Sequence, residues 1–180
     1  MIGYKNISIS GDIGTGKTTL ANNLAKKLKW NYINAGEFFR KWHKDNGVSL
    51  EETKQIPEEI DRKVEKDFQD QMQTKTNTIF ESRLAGWLAK DMPDAFKILC
   101  VADFDTAMKR MAGREKISVD EAREKGAERS KALAEKFDIL YGAKDYLDPK
   151  YYNLVVDTTS RSPDETLEYV LEHLTKPHQP

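Results

Sequence analysis

A glycine-rich run near the start of the chain constrains the fold more than any other feature. Residues 11–18 read GDIGTGKT and match the pattern G-x-x-x-x-G-K-[ST]. The run follows a strand-like segment that contains Ile7 and Ile9, and it opens a helical pattern that begins at Lys17. A strand, a glycine-rich turn and a helix in this order predict a phosphate-binding loop in a parallel α/β sheet.

The chemistry of this loop predicts a role for each part of it. Glycine allows the backbone to wrap a polyphosphate without Cβ clashes, and Gly14 and Gly16 supply that freedom. Lys17 is predicted to reach the β- and γ-phosphates, and the Thr18 hydroxyl to coordinate Mg²⁺. The residues predicted to line the triphosphate are Gly11, Asp12, Ile13, Gly14, Thr15, Gly16, Lys17, Thr18 and Thr19. The alternative is a turn that merely joins strand to helix, and the loop by itself fits GTPases, transport ATPases, regulators and kinases.

The rest of the chain alternates short apolar runs with long helical patterns, which predicts an α/β fold with a five-stranded parallel sheet. The predicted strands are Asn6–Ser10, Asn31–Asn34, Thr78–Phe80, Lys97–Ala102 and Asn153–Val156. The predicted helices are Lys17–Leu28, Glu37–Asn46, Pro57–Thr74, Phe104–Glu115, Val119–Tyr141 and Pro163–Leu174.

Composition excludes several classes of partner. The 180 residues suit one domain, and 29 basic against 30 acidic residues give a net charge of −1, which provides no field for nucleic acid or an anionic membrane. No apolar run approaches the length of a membrane span. The single Cys100 lies in an apolar run and predicts a buried, inert thiol. We therefore expect a cytoplasmic protein, a monomer whose partners are small molecules.

Five segments of the chain resemble the nucleoside monophosphate kinases, most closely the short cytidylate kinases of archaeal type. They are Ser10–Thr19 (SGDIGTGKTT), Ala35–Arg40 (AGEFFR), Glu81–Trp87 (ESRLAGW), Lys109–Tyr141 and Asn153–Ser160 (NLVVDTTS). The loop is generic, whereas AGE-x-x-R and E-x-R-L-A-G-W at this separation are more specific. The resemblance implies a P-loop kinase sandwich of three layers over residues 1–175, with ATP and Mg²⁺ as cofactors. It also implies a helical monophosphate-binding insertion at about 36–75 and a short lid at about 113–130. The two prolines near the end of the chain and the absence of an apolar anchor there predict a flexible tail at 176–180.

The same resemblance implies roles for three residues beyond the loop. Arg40 and Arg83 would hold the α-phosphate of the acceptor, and Glu81 would orient a magnesium-bound water. Guanidinium groups suit this task because they match phosphate oxygens in number and plane and stay charged. From spacing alone, a surface residue paired with Glu37 three positions earlier is the favoured interpretation of Arg40, and the resemblance reverses that order.

Arginines also cluster in the segment implied to be the lid. Arg110 and Arg114 share a helical face, and Arg123 and Arg129 follow. The resemblance implies that such arginines close on the triphosphate, and Arg110, Arg114 and Arg129 join Lys17 and Arg83 as predicted catalytic residues. The alternative is a solvated charged helix. The family often carries a further arginine where this chain has Lys136. A lysine there would contact phosphate as a single point charge, whereas an arginine can form two parallel hydrogen bonds.

Asp61 and Arg62, within the insertion, are the candidates for recognising the base of the acceptor. An acid and an arginine can together satisfy the amino group, ring nitrogen and carbonyl of cytosine. The same residues fit a solvated i,i+4 network equally well.

These observations predict transfer of the γ-phosphoryl group of ATP to a pyrimidine nucleoside monophosphate, CMP or dCMP before UMP. The alternatives are adenylate kinase or another small-molecule kinase of this fold, and, in a different class, a nucleotide-dependent regulatory ATPase. The sequence contains neither the Asn-Lys-x-Asp motif of GTPases nor the Leu-Ser-Gly-Gly signature of transporter ATPases.

Overall fold

A five-stranded, entirely parallel β-sheet forms the centre of the molecule. The computed structural model describes residues 3–174. Its strands are β1 (Asn6–Gly11), β2 (Asn31–Asn34), β3 (Thr78–Glu81), β4 (Ala95–Val101) and β5 (Leu154–Asp157), in the order β2-β3-β1-β4-β5. The first strand lies in the middle of the sheet between β3 and β4, and all six of its residues are buried. The carboxyl end of β1 is therefore flanked by the ends of both neighbours, where ligands of open parallel sheets bind.

Helices cover both faces of the sheet. They are α1 (Lys17–Leu28), α2 (Ala35–Asn46), α3 (Glu58–Thr74), α4 (Ala85–Leu88), α5 (Phe104–Glu115), α6 (Val119–Tyr141) and α7 (Pro163–Leu174). Short 3₁₀ turns occur at Thr53–Gln55 and Pro149–Tyr151. The α/β class, the five parallel strands and the three-layer arrangement confirm the fold predicted from the sequence.

Two apolar clusters hold the layers together. On one face of the sheet, Leu24 of α1 and Val170 of α7 pack against Ile7 of β1. On the other face, Phe68 of α3 and Phe137 of α6 belong to the cluster around the strand β3. Each cluster removes a full apolar face from water, which is the main source of stability for such a layer. Cys100 is fully buried in the first cluster, as predicted.

A third apolar cluster attaches the hairpin of α5 and α6 to the glycine-rich loop. Ile13 of the loop packs with Met108 and Met111 of α5 and Ala122 of α6. The two helices approach so closely at Gly126 that a Cβ there would lie 2.4 Å from the Met108 sulfur. The segment predicted as a lid is therefore the tip of a helical hairpin packed on the loop.

Some boundaries differ from the predicted ones for local reasons. The helix α2 begins at Ala35 instead of Glu37 because the Asn34 side chain caps it by accepting a hydrogen bond from Gly36 N. The helix α3 begins at Glu58, after Pro57. The single-turn helix α4 was not predicted, because four residues are too few to show a helical period. The predicted tail at 176–180 lies outside the described residues.

Candidate active site

The glycine-rich loop connects β1 to α1 and curls over the carboxyl end of the sheet. Gly14 and Gly16 have φ values of 72° and 80°, in the left-handed region that favours glycine. A Cβ on Gly14 would also lie 2.2 Å from the carbonyl oxygen of Ala107. Glycine suits both positions because the turn is left-handed, and it suits Gly14 also because α5 packs against the loop there.

Lys17, the first residue of α1, points back along the loop. Its Nζ donates to the main-chain oxygen of Asp12 at 2.7 Å. Burial, with Arg83 as the next cause, lowers the Lys17 pKa to about 8, while Glu81 acts in the opposite direction. Lys17 is therefore a desolvated cation with few local anions, as a site for phosphate requires.

Thr18 and Glu81 meet across the ends of α1 and β3. The Thr18 hydroxyl donates to Glu81 Oε1 at 2.7 Å, and the Glu81 side chain is buried. The hydroxyl of Tyr32 donates to the other carboxylate oxygen, Oε2, and Asn34 Nδ2 donates to the same oxygen at 3.1 Å. Strand β2 thus fixes the orientation of Glu81.

These groups fit a magnesium ion that is shared with a substrate. Within residues 3–174 there is no cluster of three or more histidine, cysteine or acidic side chains that could hold a metal alone. Mg²⁺ prefers oxygen ligands and in nucleotide sites is held by one or two protein oxygens, phosphates and waters. The hydroxyl of Thr18 and the carboxylate of Glu81 are such oxygens.

Arg83 follows β3 and faces the loop. Its Nη1 lies 2.7 Å from Asp12 Oδ1, but the N–H is not aligned with that oxygen, so the contact is an ion pair that leaves this donor without a hydrogen bond. The side chain is 12% exposed. A buried guanidinium with an unsatisfied donor is suited to an anionic ligand.

Arg40 belongs to the helix α2. It lines both the cavity around Arg83 and the cleft beside α1. The alternative that pairs Arg40 with Glu37 is not realised, since no ion pair or hydrogen bond of the Arg40 side chain occurs within the described chain.

Arg110 lies on the side of the site formed by the cleft beside α1. Its guanidinium donates to the hydroxyl and main-chain oxygens of Thr158, at 2.9 and 2.6 Å, and more distantly to Gly14 O. Arg114, one turn later in α5, is half exposed and pairs with Glu115 at 2.7 Å. Both arginines line the cleft that runs over Gly16 and Thr19.

Arg129 of α6 is buried and already carries two carboxylates. Its Nη2 lies 2.5 Å from Glu51 Oε1, and its Nη1 lies 3.0 Å from Glu115 Oε1. Arg123, by contrast, points to Asp105 and Asp120 on the surface. Of the four clustered arginines, Arg110, Arg114 and Arg129 face the site.

The cavity continues from Arg83 into a polar pocket between α2, α3 and α6. Asp61 and Lys136 form a buried ion pair of 2.5 Å, and Lys136 Nζ also donates to Thr53 O at 2.7 Å. Glu65 lies beside them, and burial raises its pKa to about 8. The buried polar atoms of the pocket that have no hydrogen-bond partner include His43 Nδ1, Thr53 Oγ1 and Glu65 Oε2, and also Asp61 Oδ2, which has only its ion pair with Lys136. Unsatisfied buried donors and acceptors mark a place for a polar ligand.

The structure separates the two residues predicted to recognise a base. Asp61 lines the pocket, whereas Arg62 is not among the residues that line it, so the position of Arg62 does not fit the predicted role. Arg62 pairs with Glu58 on the exposed side of α3 and donates to Leu140 O, outside the pocket. Helical geometry explains the difference, since consecutive residues point about 100° apart.

Sequence reasoning missed several residues of the site. Glu65, His43 and the side chain of Asp12 were not singled out, and Lys136 was expected only as a weak substitute for a lid arginine. A signal for Glu65 was present: Asp61 and Glu65 continue the buried stripe of Phe68 and Met72 at helical spacing.

The site consists of two recesses that join at the loop. The cleft over Gly16 and Thr19 and the cavity that leads to Glu65 share Gly14, Lys17, Thr18, Arg40 and Arg114 in their walls. Two anionic ligands, one in each recess, would therefore meet at Lys17.

Comparison with known proteins agrees with this geometry. Residues 6–160 match the model of the "Cytidylate kinase-like family". A cytidylate kinase from Pyrococcus abyssi is 38% identical over 174 residues, which cover 93% of this chain and 94% of that protein. A cytidylate kinase from Methanosarcina acetivorans is 36% identical over 166 residues, with coverages of 90% and 92%.

Solved structures share the fold at lower identity. An uncharacterized protein from Eubacterium ventriosum superposes with a TM-score of 0.74 at 16% identity, covering 96% of this chain and 99% of its own. Shikimate kinase from Acinetobacter baumannii gives 0.60 at 15% identity, with coverages of 95% and 93%. These likenesses concern the fold alone, whereas the matches in sequence cover nearly the whole length of both partners. The chain belongs to the cytidylate kinase-like family.

Proposed function

We propose that this protein transfers the γ-phosphoryl group of ATP to CMP or dCMP, giving ADP and the nucleoside diphosphate. The observation that carries the proposal is the pair of recesses that meet at Lys17, with Arg40 in the walls of both and Arg83 in the wall of the cavity that leads to Glu65. A hydrolase needs one nucleotide site and a water. A kinase needs a second anionic substrate held in line with the first.

In this proposal the triphosphate occupies the cleft beside α1. The loop backbone and the positive end of α1 cradle the phosphates, and Lys17 reaches between the β- and γ-phosphates. Thr18 and Glu81 would hold Mg²⁺, whose chemistry when bound is to neutralise charge on the phosphate oxygens. Arg110, anchored on Thr158, supplies positive charge on the same side.

The acceptor phosphate lies between Arg40 and Arg83. These two guanidinium groups approach from α2 and from the end of β3, so they hold the phosphate from both sides and exclude water from the line of attack. Arg114 and Arg129 are the candidates for stabilising the transferring phosphoryl group, since both line the same cavity.

The base of the acceptor fits the polar pocket at the far end. Asp61, Glu65, Lys136 and Thr53 offer acceptors and donors there, and Phe39 and Phe137 contribute apolar walls. Cytosine presents one donor group and two acceptors on its edge, so it can satisfy the unpaired carboxyl oxygen of Glu65 and the Thr53 hydroxyl together. Arg62 has no part in this proposal.

The test is turnover with Mg-ATP against CMP, dCMP, UMP, AMP and shikimate, following the phosphorylated product. We expect CMP and dCMP to be phosphorylated at a kcat/KM at least about tenfold above UMP and AMP. Formation of ADP at one rate whatever acceptor is added would replace the proposal with a regulatory ATPase. Phosphorylation of shikimate or AMP alone would assign the cavity to a different acceptor.

A further inference from the structure

The carboxylate of Asp12 occupies an unusual position for a residue of a phosphate-binding loop. One oxygen, Oδ1, accepts a hydrogen bond from Ile13 N at 2.7 Å and another from the Ser130 hydroxyl of α6 at 2.8 Å. The same oxygen lies 2.7 Å from Arg83 Nη1. A negative charge is thus fixed beside the place where two anionic substrates would meet, which costs binding energy unless it has a specific use.

The two hydrogen bonds hold this carboxylate independently of Arg83. A main-chain N–H of the loop and a hydroxyl of α6 both point at Oδ1, so its position does not depend on the arginine. Arg83, in contrast, has few partners of its own. Besides Asp12, the neighbouring group is the buried Tyr146, whose pKa is raised by burial and lowered in part by the Arg83 charge. The carboxylate is therefore held in place by two hydrogen bonds that do not involve Arg83, and the ion pair with Arg83 is added to them.

We propose that Asp12 is a positioning residue: its carboxylate holds the Arg83 guanidinium so that the remaining N–H groups face the acceptor phosphate. This inference rests on the proposed function, in which Arg83 binds that phosphate. Arginine presents five N–H donors in a rigid plane, so fixing one edge of the plane fixes the direction of the others.

The ion pair between Asp12 and Arg83 could also weaken acceptor binding, and this second interpretation predicts a different result. If Asp12 merely competes with the acceptor phosphate for Arg83, removing its charge would strengthen acceptor binding. If Asp12 positions Arg83, removing its charge weakens acceptor binding even though a repulsive anion is lost. The sign of the change in acceptor KM therefore separates the two interpretations.

The experiment compares the wild type with Asp12→Asn, which keeps the size of the side chain and its ability to accept hydrogen bonds. We expect the KM for CMP to rise roughly tenfold. We expect the KM for Mg-ATP to change by less than about twofold, because Lys17 contacts the main-chain oxygen of residue 12, not its side chain. Ser130→Ala is the matched control. It removes one hydrogen bond from the same oxygen but leaves the ion pair, so the CMP KM should stay within about threefold.

A double-mutant cycle with Arg83→Ala tests whether Asp12 acts through that arginine. In the Arg83→Ala background, Asp12→Asn should add less than about twofold to the CMP KM. A lowered or unchanged CMP KM in the single Asp12→Asn variant, or fully additive losses in the cycle, overturns the inference. If Asp12→Asn melts at a markedly lower temperature than the wild type, Asp12→Ser, which also lacks the charge, is used for the same comparison of the CMP KM.

Failure of this inference can be told apart from failure of the proposed function. A wild-type protein that does not phosphorylate CMP contradicts the proposed function, and the positioning role with it. In the other case, the wild type phosphorylates CMP, and Arg83→Ala changes the CMP KM whereas Asp12→Asn does not. That result would support the proposed function and contradict only the role of Asp12.

Discussion

At the scale of the single residue, the site is built around cations that lack sufficient local anions. Lys17 is desolvated, has Arg83 nearby, and rests on a main-chain carbonyl instead of a carboxylate. Arg40 has no acidic partner within residues 3–174. Such an arrangement costs stability in the free protein and is relieved when phosphates bind, so affinity for polyanions follows from the charges already in place.

The first prediction concerns the protonation of Lys17. Its pKa of about 8 in the free protein means that a growing fraction is neutral, and cannot attract phosphate, as the pH rises through that value. We expect kcat/KM for Mg-ATP to fall about tenfold per pH unit above pH 8. In the bound complex the neighbouring phosphates raise the pKa again, so kcat should decline only at higher pH. The control is Lys17→Met, which we expect to abolish phosphoryl transfer without changing the far-UV circular dichroism spectrum. Any activity that remains in this variant does not depend on the Lys17 ammonium group.

The second prediction concerns Arg40, whose assignment depends on its freedom from ion pairs. We expect Arg40→Ala to raise the KM for CMP by about tenfold to a hundredfold, because a charge-assisted contact to phosphate is lost. Lys41→Ala, which removes a cation from the next position in α2, is the control. Lys41 is exposed and pairs with Asp45, so its loss should alter neither KM. If Arg40→Ala and Lys41→Ala raised the KM for CMP equally, CMP binding would depend on the net charge of α2 and not on a contact made by Arg40.

At the scale of the element, α3 shows how far sequence reasoning reaches. The helix and its length were predicted because apolar residues recur at helical spacing, and its buried face carries Asp61, Glu65, Phe68 and Met72. Acidic residues are usually exposed, so that expectation concealed Glu65 within the stripe, whereas Asp61 was chosen for its chemistry. Arg62 was chosen for its chemistry, but it points off the stripe. Sequence patterns gave the strands and helices well, whereas contacts between distant segments, such as Asp61 with Lys136, depend on packing that no local pattern encodes.

The third prediction uses α3 to test the state of Glu65. In the folded protein Glu65 keeps its proton to about pH 8, because burial and the nearby Asp61 outweigh the attraction of Lys136. In an unfolded chain this carboxyl group releases its proton near the ordinary glutamate pKa of 4.5. The folded state therefore binds more protons between these limits, and the free energy of unfolding falls as pH rises from about 4.5 to about 8.

Glu65→Gln removes the titrating group, and with it this contribution to the pH dependence of the free energy of unfolding. We expect the variant and the wild type to be similarly stable at pH 5, and the variant to be more stable by about 1 kcal/mol or more at pH 8.5, measured by urea unfolding. Glu59→Gln, at an exposed position of the same helix, should show no such change with pH. A constant difference between Glu65→Gln and the wild type across this range would contradict a protonated Glu65.

At the scale of the whole molecule, one arginine connects the two parts that flank the cavity. Arg129 of α6 binds Glu51 of the insertion and Glu115 at the end of α5. Its side chain is 9% exposed, and its Nε has no hydrogen-bond partner. For Arg129 to contact a phosphoryl group, at least one carboxylate must be released. Binding of both substrates would therefore change how the insertion and the tip of the α5–α6 hairpin pack together.

The last prediction follows from this exchange of partners. We expect a bisubstrate compound that joins adenosine and cytidine through five phosphates to reduce amide hydrogen exchange in residues 36–75 and 113–130. ADP alone should protect the loop at 11–18 while changing these two segments little, since it fills only the cleft beside α1. In Glu51→Gln, which lacks one of the two carboxylate charges on Arg129, the segment 113–130 should exchange faster in the free protein and become protected to the wild-type level in the complex. Equal exchange at 113–130 with ADP and with the bisubstrate compound would mean that the hairpin does not respond to the acceptor, and that Arg129 serves to hold the fold and not the transferring group.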